Sequence, residues 1–157
     1  MSDKFPLENI LNFPTDGKFR SIGTSRGGHG IELIRIGDGP KNILLLGGVH
    51  GDEPEGIRLV NQFLSYALKS FNEPNLSIFT IPVLNEDGAR KNERCNASGV
   101  DLNRNLPTQD WSPIAAKPRY NPGPYPNSEP ENIILVKLLD QIQPIFILTA
   151  PSYKYPM

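Results

Sequence analysis

The chain has 157 residues whose acidic and basic side chains nearly cancel, leaving a formal charge of −1 with no long run of like charge. That balance offers little to nucleic acid or an anionic membrane surface, and no apolar stretch approaches the ~20 residues of a membrane span. Cys95 is the single cysteine, which excludes an intrachain disulfide and a cysteine zinc cluster.

The length predicts one domain over residues 1–157, able to bury roughly two-thirds of the surface its unfolded chain exposes. Met1 to Pro6 lack the apolar core of a signal peptide, so the chain reads as soluble and cytoplasmic. Residues 1–30 carry no sustained periodicity and read as a leading segment that ends in the turn Gly23 to Gly30. No Gly-Lys-Ser/Thr follows that turn, so it is not a phosphate loop, and His29 within it reads as a solvated loop histidine.

Glu32 to Ile36 alternates apolar and polar residues, as a half-exposed strand does, and Asn42 to Leu46 is a continuous apolar strand beside it. Ile57, Val60, Phe63, Leu64 and Leu68 recur at helical spacing, which predicts an amphipathic helix from about Pro54 to Lys69. Leu76 to Val83 is the next strand, with Pro82 marking its end. Strand, helix, strand in this order predicts an α/β sheet whose functional loops follow the carboxyl ends of its strands.

Asn85 to about Asn127 is long, polar and rich in Gly and Pro, a segment too large for a simple connection. Ser128-Glu129-Pro130-Glu131 reads as a capping box, with Ser128 as N-cap and Glu131 at N3, opening a helix that runs to about Gln143. Pro144 stops that helix, and Ile145 to Thr149 reads as a further buried strand.

The chemistry concentrates in Gly47-Gly48-Val49-His50-Gly51-Asp52-Glu53, directly after the Ile43 to Leu46 run. The spacing His50-x-x-Glu53 lets an imidazole nitrogen and a carboxylate oxygen converge on one small cation, in a turn that glycines allow to fold back. A catalytic zinc takes three protein ligands and keeps a position for water, so a third ligand has to come from elsewhere.

Further along the chain stand Asn85-x-Asp87-Gly88, then Arg94, then Gly99-Val100-Asp101-Leu102-Asn103-Arg104-Asn105. These blocks, in order after His50-x-x-Glu53, resemble the zinc metallocarboxypeptidase family over about residues 23–150. The Pro-Gly-Pro at Pro122 to Pro124 and Ser128 to Glu131 are similar to its bacterial murein peptide amidase branch.

The resemblance implies an α/β fold with a mixed, mostly parallel sheet flanked by helices. It implies His50 and Glu53 as zinc ligands, Arg94 as the catalytic residue that polarises the scissile carbonyl, and Asn103 with Arg104 as the grip on a substrate carboxylate. Asp101 and Asn105 are expected to shape the loop. The implied reaction is zinc-assisted hydrolysis of γ-D-glutamyl to diaminopimelate bonds in small peptides with free carboxylates.

The family's third ligand is a histidine just after the strand that here is Ile145 to Thr149, where this chain reads Ala150-Pro151-Ser152. Its general-base glutamate would lie beyond Met157, and Tyr153 and Tyr155 match no family tyrosine by position. Glu86 and Leu106 also stand where a proline and an aromatic residue are usual. The chain therefore reads as lacking the C-terminal part of the domain, with weak or absent zinc binding and little or no amidase activity. An exposed sheet edge open to self-association is expected with it.

Two alternatives stand beside this reading. One is a non-catalytic, carboxylate-binding remnant. The other is a likeness to the aspartoacylase and succinylglutamate desuccinylase group, whose Gly-x-His-Gly-x-Glu turn and Asp-Leu-Asn-Arg are shared.

Overall fold

A computed structural model describes residues 10–150. Five strands form one sheet: β1 (Arg20–Thr24), β2 (Gly30–Ile36), β3 (Lys41–Leu46), β4 (Leu76–Ile81) and β5 (Phe146–Thr149). Their spatial order is β1-β2-β4-β3-β5, with β3 parallel to both neighbours and β2 antiparallel to both of its own. Thus β1, β3, β4 and β5 point one way and β2 the other, giving the mixed, mostly parallel sheet expected.

Helix α1 (Pro54–Ser70) joins β3 to β4 and covers one face. Its start is set by Pro54 in the first turn, where a missing N–H costs nothing, and its Val60, Leu64 and Ala67 pack on Ile34 and Ile36 of β2. The opposite face takes Ile31 and Leu33 from β2, Leu44 and Leu46 from β3, and Phe79 and Ile81 from β4. On it lies α3 (Pro130–Ile142) with Ile134, Leu135, Leu138 and Ile142. The period-2 alternation of the strands thus sorts their side chains between two cores. No helix among the described residues is long and apolar enough to cross a membrane.

Four expectations need correction. β2 is buried rather than half-exposed, and its neighbour is β4, not β3. The reason is Arg35, the polar residue of the alternation, which is almost fully buried because it finds partners inside. Its guanidinium donates to Asp38 Oδ1 at 2.7 Å, to Ser77 Oγ at 3.1 Å and to the Leu11 carbonyl. The leading segment carries a strand, β1, that periodicity did not reveal. β1 has one buried residue, Ile22, and a register shift between Ser21 and Gly23, so its identity comes from pairing with β2.

The capping box is not made. Helix α3 begins at Pro130 with Glu129 as N-cap and no side-chain cap bond, because tertiary partners take both residues. Ser128 Oγ donates to Glu129 Oε1 at 2.8 Å and accepts from Asn105, while Glu131 Oε1 accepts from the Arg26 backbone N–H at 2.9 Å. Finally, β5 is not buried. Ile145, Phe146, Ile147 and Leu148 are each about half exposed or more, since β5 is an edge strand with β3 on one side only.

A buried carboxylate brace ties the β1–β2 turn to α3 and to a short helix, α2 (Glu86–Lys91). Asp87 accepts from Ser25 Oγ at 2.6 Å and from the backbone N–H groups of Gly27 and Ala97. Glu129 accepts from Arg26 Nε at 3.1 Å and Asn96 Nδ2 at 2.8 Å. For Asp87 and Glu129 burial pushes the carboxyl up, but these hydrogen bonds outweigh it and hold both below the ordinary range. Glu131 goes the other way, because burial dominates and Asp87 adds negative charge nearby.

Carboxyls lowered in the folded state contribute stability above their unfolded pKa of about 4 and lose it as pH falls through the folded values. Glu131 contributes the opposite slope, its stability being greatest in acid and lost as pH rises. Urea unfolding between pH 3 and 7 should therefore show stability dropping below about pH 4. Glu129→Gln should cost about 1–3 kcal/mol at pH 7 and flatten that acid limb; an unchanged limb would remove Glu129 from the brace.

Candidate metal and carboxylate site

The site forms where the parallel strands end. β3 runs out at Leu46 into the Gly47 to Glu53 turn, which is bolted to the chain leaving β4. Gly47 N–H donates to the Ile81 carbonyl at 2.9 Å, and the Leu84 and Asn85 N–H groups donate back to Gly47 and Gly48 at 3.1 and 2.8 Å. Two glycines are required here. Gly48 sits at φ 55°, and a Cβ on Gly51 would lie 1.9 Å from the Gly88 carbonyl carbon of α2.

His50 is buried at the tip, 8% exposed, with each ring nitrogen facing a carboxylate. Nδ1 lies 3.1 Å from Glu53 Oε1 and Nε2 lies 3.1 Å from Asp101 Oδ1. Asp101 is fully buried, and although burial pushes its carboxyl up, hydrogen bonds from His50 and Arg94 hold it below the usual range. An ionised Asp101 only accepts, so it fixes the proton of His50 on Nε2. Nδ1 then meets Glu53 Oε1 as one electron-rich atom meets another, unless a proton or a metal ion lies between them. That donor pair fits a small cation preferring nitrogen and oxygen, as zinc does.

A pocket of about 100 Å³ opens beside this pair, lined by Val49, His50, Glu53, Asn103, Thr149 and Ala150. The end of β5 thus reaches the site, but with a hydroxyl and a methyl group. Among the described residues no group of three His, Cys, Asp or Glu converges to hold a metal. Among the described residues, His50 and Glu53 offer two donors where a catalytic zinc takes three protein ligands. Ala150 is the last residue described; Pro151, Ser152, Tyr153 and Tyr155 lie outside the described residues. His29 stands apart, 4.0 Å from Asp87, with its side chain 43% exposed.

Arg94 follows α2, which ends at Asn92 in a left-handed conformation, φ 54°. Asn85 Nδ2 pins its carbonyl at 2.9 Å, and its Nε donates to Asp101 Oδ2 at 2.8 Å. Its Nη1 lies 3.8 Å from Glu53 Oε1, so the guanidinium stands against the His50 and Glu53 pair.

Asn103 and Arg104 occupy a 3-10 turn, Leu102–Arg104, in which burial alternates sharply. Asp101, Leu102 and Asn105 are buried, whereas Asn103 and Arg104 are exposed. Asp101 Oδ1 accepts from Asn103 N–H at 3.0 Å, and Asn132 Nδ2 donates to the Leu102 carbonyl at 2.9 Å. Asn105 Nδ2 donates to the Pro122 carbonyl at 2.7 Å and the Tyr125 carbonyl at 3.0 Å. The turn is held from beneath and leaves the side chains of Asn103 and Arg104 exposed. All five residues singled out in the sequence, His50, Glu53, Arg94, Asn103 and Arg104, therefore lie at one end of the sheet.

Sequence reasoning missed two features. Asp101 does more than shape its loop, since it orients both His50 and Arg94, a role that no spacing reveals. Tyr120 lies beneath three guanidiniums, those of Arg94, Arg104 and Arg119, at 5.2, 5.8 and 5.6 Å from its ring centroid.

The chain is 33% identical over 117 residues to murein peptide amidase A of Escherichia coli (strain K12), covering 68% of this chain and 47% of that one. The chain therefore spans about half the length of the curated relatives it matches. The crystal structure of murein-tripeptide amidase MpaA from Escherichia coli O157 superposes with a TM-score of 0.63 at 28% identity, covering 82% of this chain and 58% of that one. Carboxypeptidase A from Helicoverpa armigera superposes with a TM-score of 0.75 at 19% identity, covering 87% and 41%, which shows the same fold. The family model for zinc carboxypeptidases matches residues 10–155, most of the sequence, and on that match the chain belongs to the zinc carboxypeptidase family.

Proposed function

We propose that this chain binds small peptides through a free carboxylate at Asn103 and Arg104, in the manner of a murein peptide amidase, and hydrolyses them slowly or not at all on its own. The observation that carries this reading is the exposed pair Asn103 and Arg104 on a buried turn, with Asn103 lining the pocket of His50 and Glu53. A planar guanidinium can bond both oxygens of a carboxylate, and Asn103 adds an amide donor beside it. Arg94, fixed by Asp101, is the cation placed to meet negative charge developing on a carbonyl oxygen.

His50 and Glu53 would hold zinc, which when bound supplies an activated water and a polarised carbonyl. Loss of a group that only orients a ligand weakens such sites ~10–100-fold, and loss of a direct ligand should matter at least as much. Low activity follows from that incomplete donor set. The substrate class that suits the exposed Arg104 together with the partly buried Arg94 is a γ-D-glutamyl peptide ending in diaminopimelate. The non-catalytic, carboxylate-binding reading is the second one, favoured by the same donor set. Its difference from the first is chemical turnover.

The exposed edge of β5 supports a further partner, a second copy of this chain. Among the described residues β5 pairs on one side only, and Phe146, Ile147 and Leu148 present apolar side chains along its other edge, the arrangement that promotes edge-to-edge pairing.

Three outcomes test these statements. Hydrolysis of γ-D-glutamyl-diaminopimelate with zinc should stay within about twofold of a chelator control; a clear zinc-dependent rate would establish the chain as an active amidase. Titration calorimetry with the same peptide should show binding that Arg104→Ala weakens at least about tenfold, and equal heats from both proteins would discard the carboxylate grip. Sedimentation should show concentration-dependent association that Phe146→Lys reduces; a monomer at all concentrations would rule out the edge contact.

A further inference from the structure

Tyr120 and the arginines around it are not accounted for by a single carboxylate grip. The Pro118–Tyr120 turn is fastened against the loop that carries Arg94 and Asp101. Asn121 accepts from the Asp101 N–H at 2.8 Å and donates through Nδ2 to the Gly99 carbonyl at 3.0 Å. This holds Arg119, Arg104 and Arg94 over one ring, at 5.2 to 5.8 Å from its centroid. An aromatic face attracts each cation, but three cations drawn to one ring also repel one another.

Their carboxylate partners are unequal. Arg94 has the buried Asp101 at 2.8 Å. Arg104 makes a hydrogen bond to its neighbour's carbonyl at 3.3 Å and has no ion pair within 4.0 Å among the described residues. Asp110 lines the same pocket of about 280 Å³, but its carboxyl is held down chiefly by Thr108, with Arg104 a lesser cause.

Arg119 has a weak partner. Its Nη2 meets Asp52 Oδ2 at 3.2 Å, its side chain is 52% exposed, and the other Asp52 oxygen is buried without a hydrogen bond. A single contact at that exposure is the kind of pair an incoming anion displaces. Asp52 is the residue before Glu53, so Arg119 reaches the metal-side turn, whereas Arg104 faces the outer pocket. Asn103 lines both pockets and joins them.

We propose that Arg104 and Arg119, both set over Tyr120, read two carboxylates of one ligand, with Arg119 exchanging Asp52 for the second. This rests on the carboxylate grip proposed above and adds the acyl side of the peptide to it. The two guanidinium carbons are no further apart than about twice their distance from the shared ring, a gap that an extended dipeptide of roughly 7 Å with a guanidinium–carboxylate contact at each end can bridge. The ligand class is a γ-glutamyl-type peptide, with one carboxylate beyond the amide bond on Arg104 and the α-carboxylate before it on Arg119.

The test compares γ-D-glutamyl-lysine with 4-aminobutyryl-lysine, which lacks only the α-carboxylate, by titration calorimetry on the whole chain. Wild type should bind the first about tenfold more tightly. Arg119→Gln should bring the two within about twofold and leave 4-aminobutyryl-lysine unchanged, whereas Asp52→Asn, which releases Arg119, should widen the preference. If Arg119→Gln weakens both peptides equally, or neither, the second contact does not exist. If wild type binds both peptides equally and Arg104→Ala loses both, only this inference falls. If wild type binds neither, the carboxylate grip falls and this falls with it.

Discussion

The Asp101 carboxylate, fully buried and ionised, is the constraint on which the site depends. A lone buried carboxylate costs several kcal/mol, so the chain must bring donors to it. His50 Nε2, Arg94 Nε and the Asn103 N–H all arrive within 2.8 to 3.1 Å. They come from three places: the turn after β3, the loop after α2, and the 3-10 turn that Asp101 itself caps. One desolvated charge thereby fixes the tautomer of His50, the aim of Arg94 and the pitch of the turn that carries Asn103 and Arg104. None of these can shift without leaving Asp101 short of a partner.

The sheet makes that convergence possible. Parallel strands put their carboxyl ends on one side, where β3 and β4 each deliver a loop and β5 ends. Backbone bonds between Gly47 or Gly48 and the residues after β4 seal these two loops together, and Gly51 packs so closely on Gly88 that α2 is seated against the turn. The third end, Thr149 and Ala150, lines the pocket without adding a metal donor. Position and chemistry are therefore separable in this chain. The scaffold brings the end of β5 to the right place, while the residue there is silent.

How much of this was legible in the sequence depended on whether an element is defined by its own pattern or by its partner. Helix α1, strands β3 and β4, and the body of α3 carry long apolar periodicities and lie within a residue or two of their expected bounds. β1 and α2 are short and have one or two buried residues, so only pairing and packing identify them. The misread capping box is the same lesson in polar form. Ser128 and Glu131 have the right spacing to cap locally, but Asn105, Glu129 and the Arg26 backbone engage them instead. His50 and Glu53 were visible because a three-residue spacing is local. The link from His50 to Asp101 spans 51 positions and leaves no local trace.

The distribution of charge gives the site a direction. Near Tyr120 three guanidiniums gather, and their carboxylate partners differ in depth: Asp101 is buried, while Asp52 is partly exposed and half satisfied. In low dielectric the Arg94 and Asp101 pair is strong and permanent, whereas nearer solvent the remaining positive charge is screened but free to exchange. The result is a gradient, from a partly buried cation beside the His50 and Glu53 pair to exposed cations at the rim. A carboxylate approaching from solvent meets the exchangeable ones first. On the proposed reading its amide bond would then rest against the fixed one, with burial alone separating binding from polarisation.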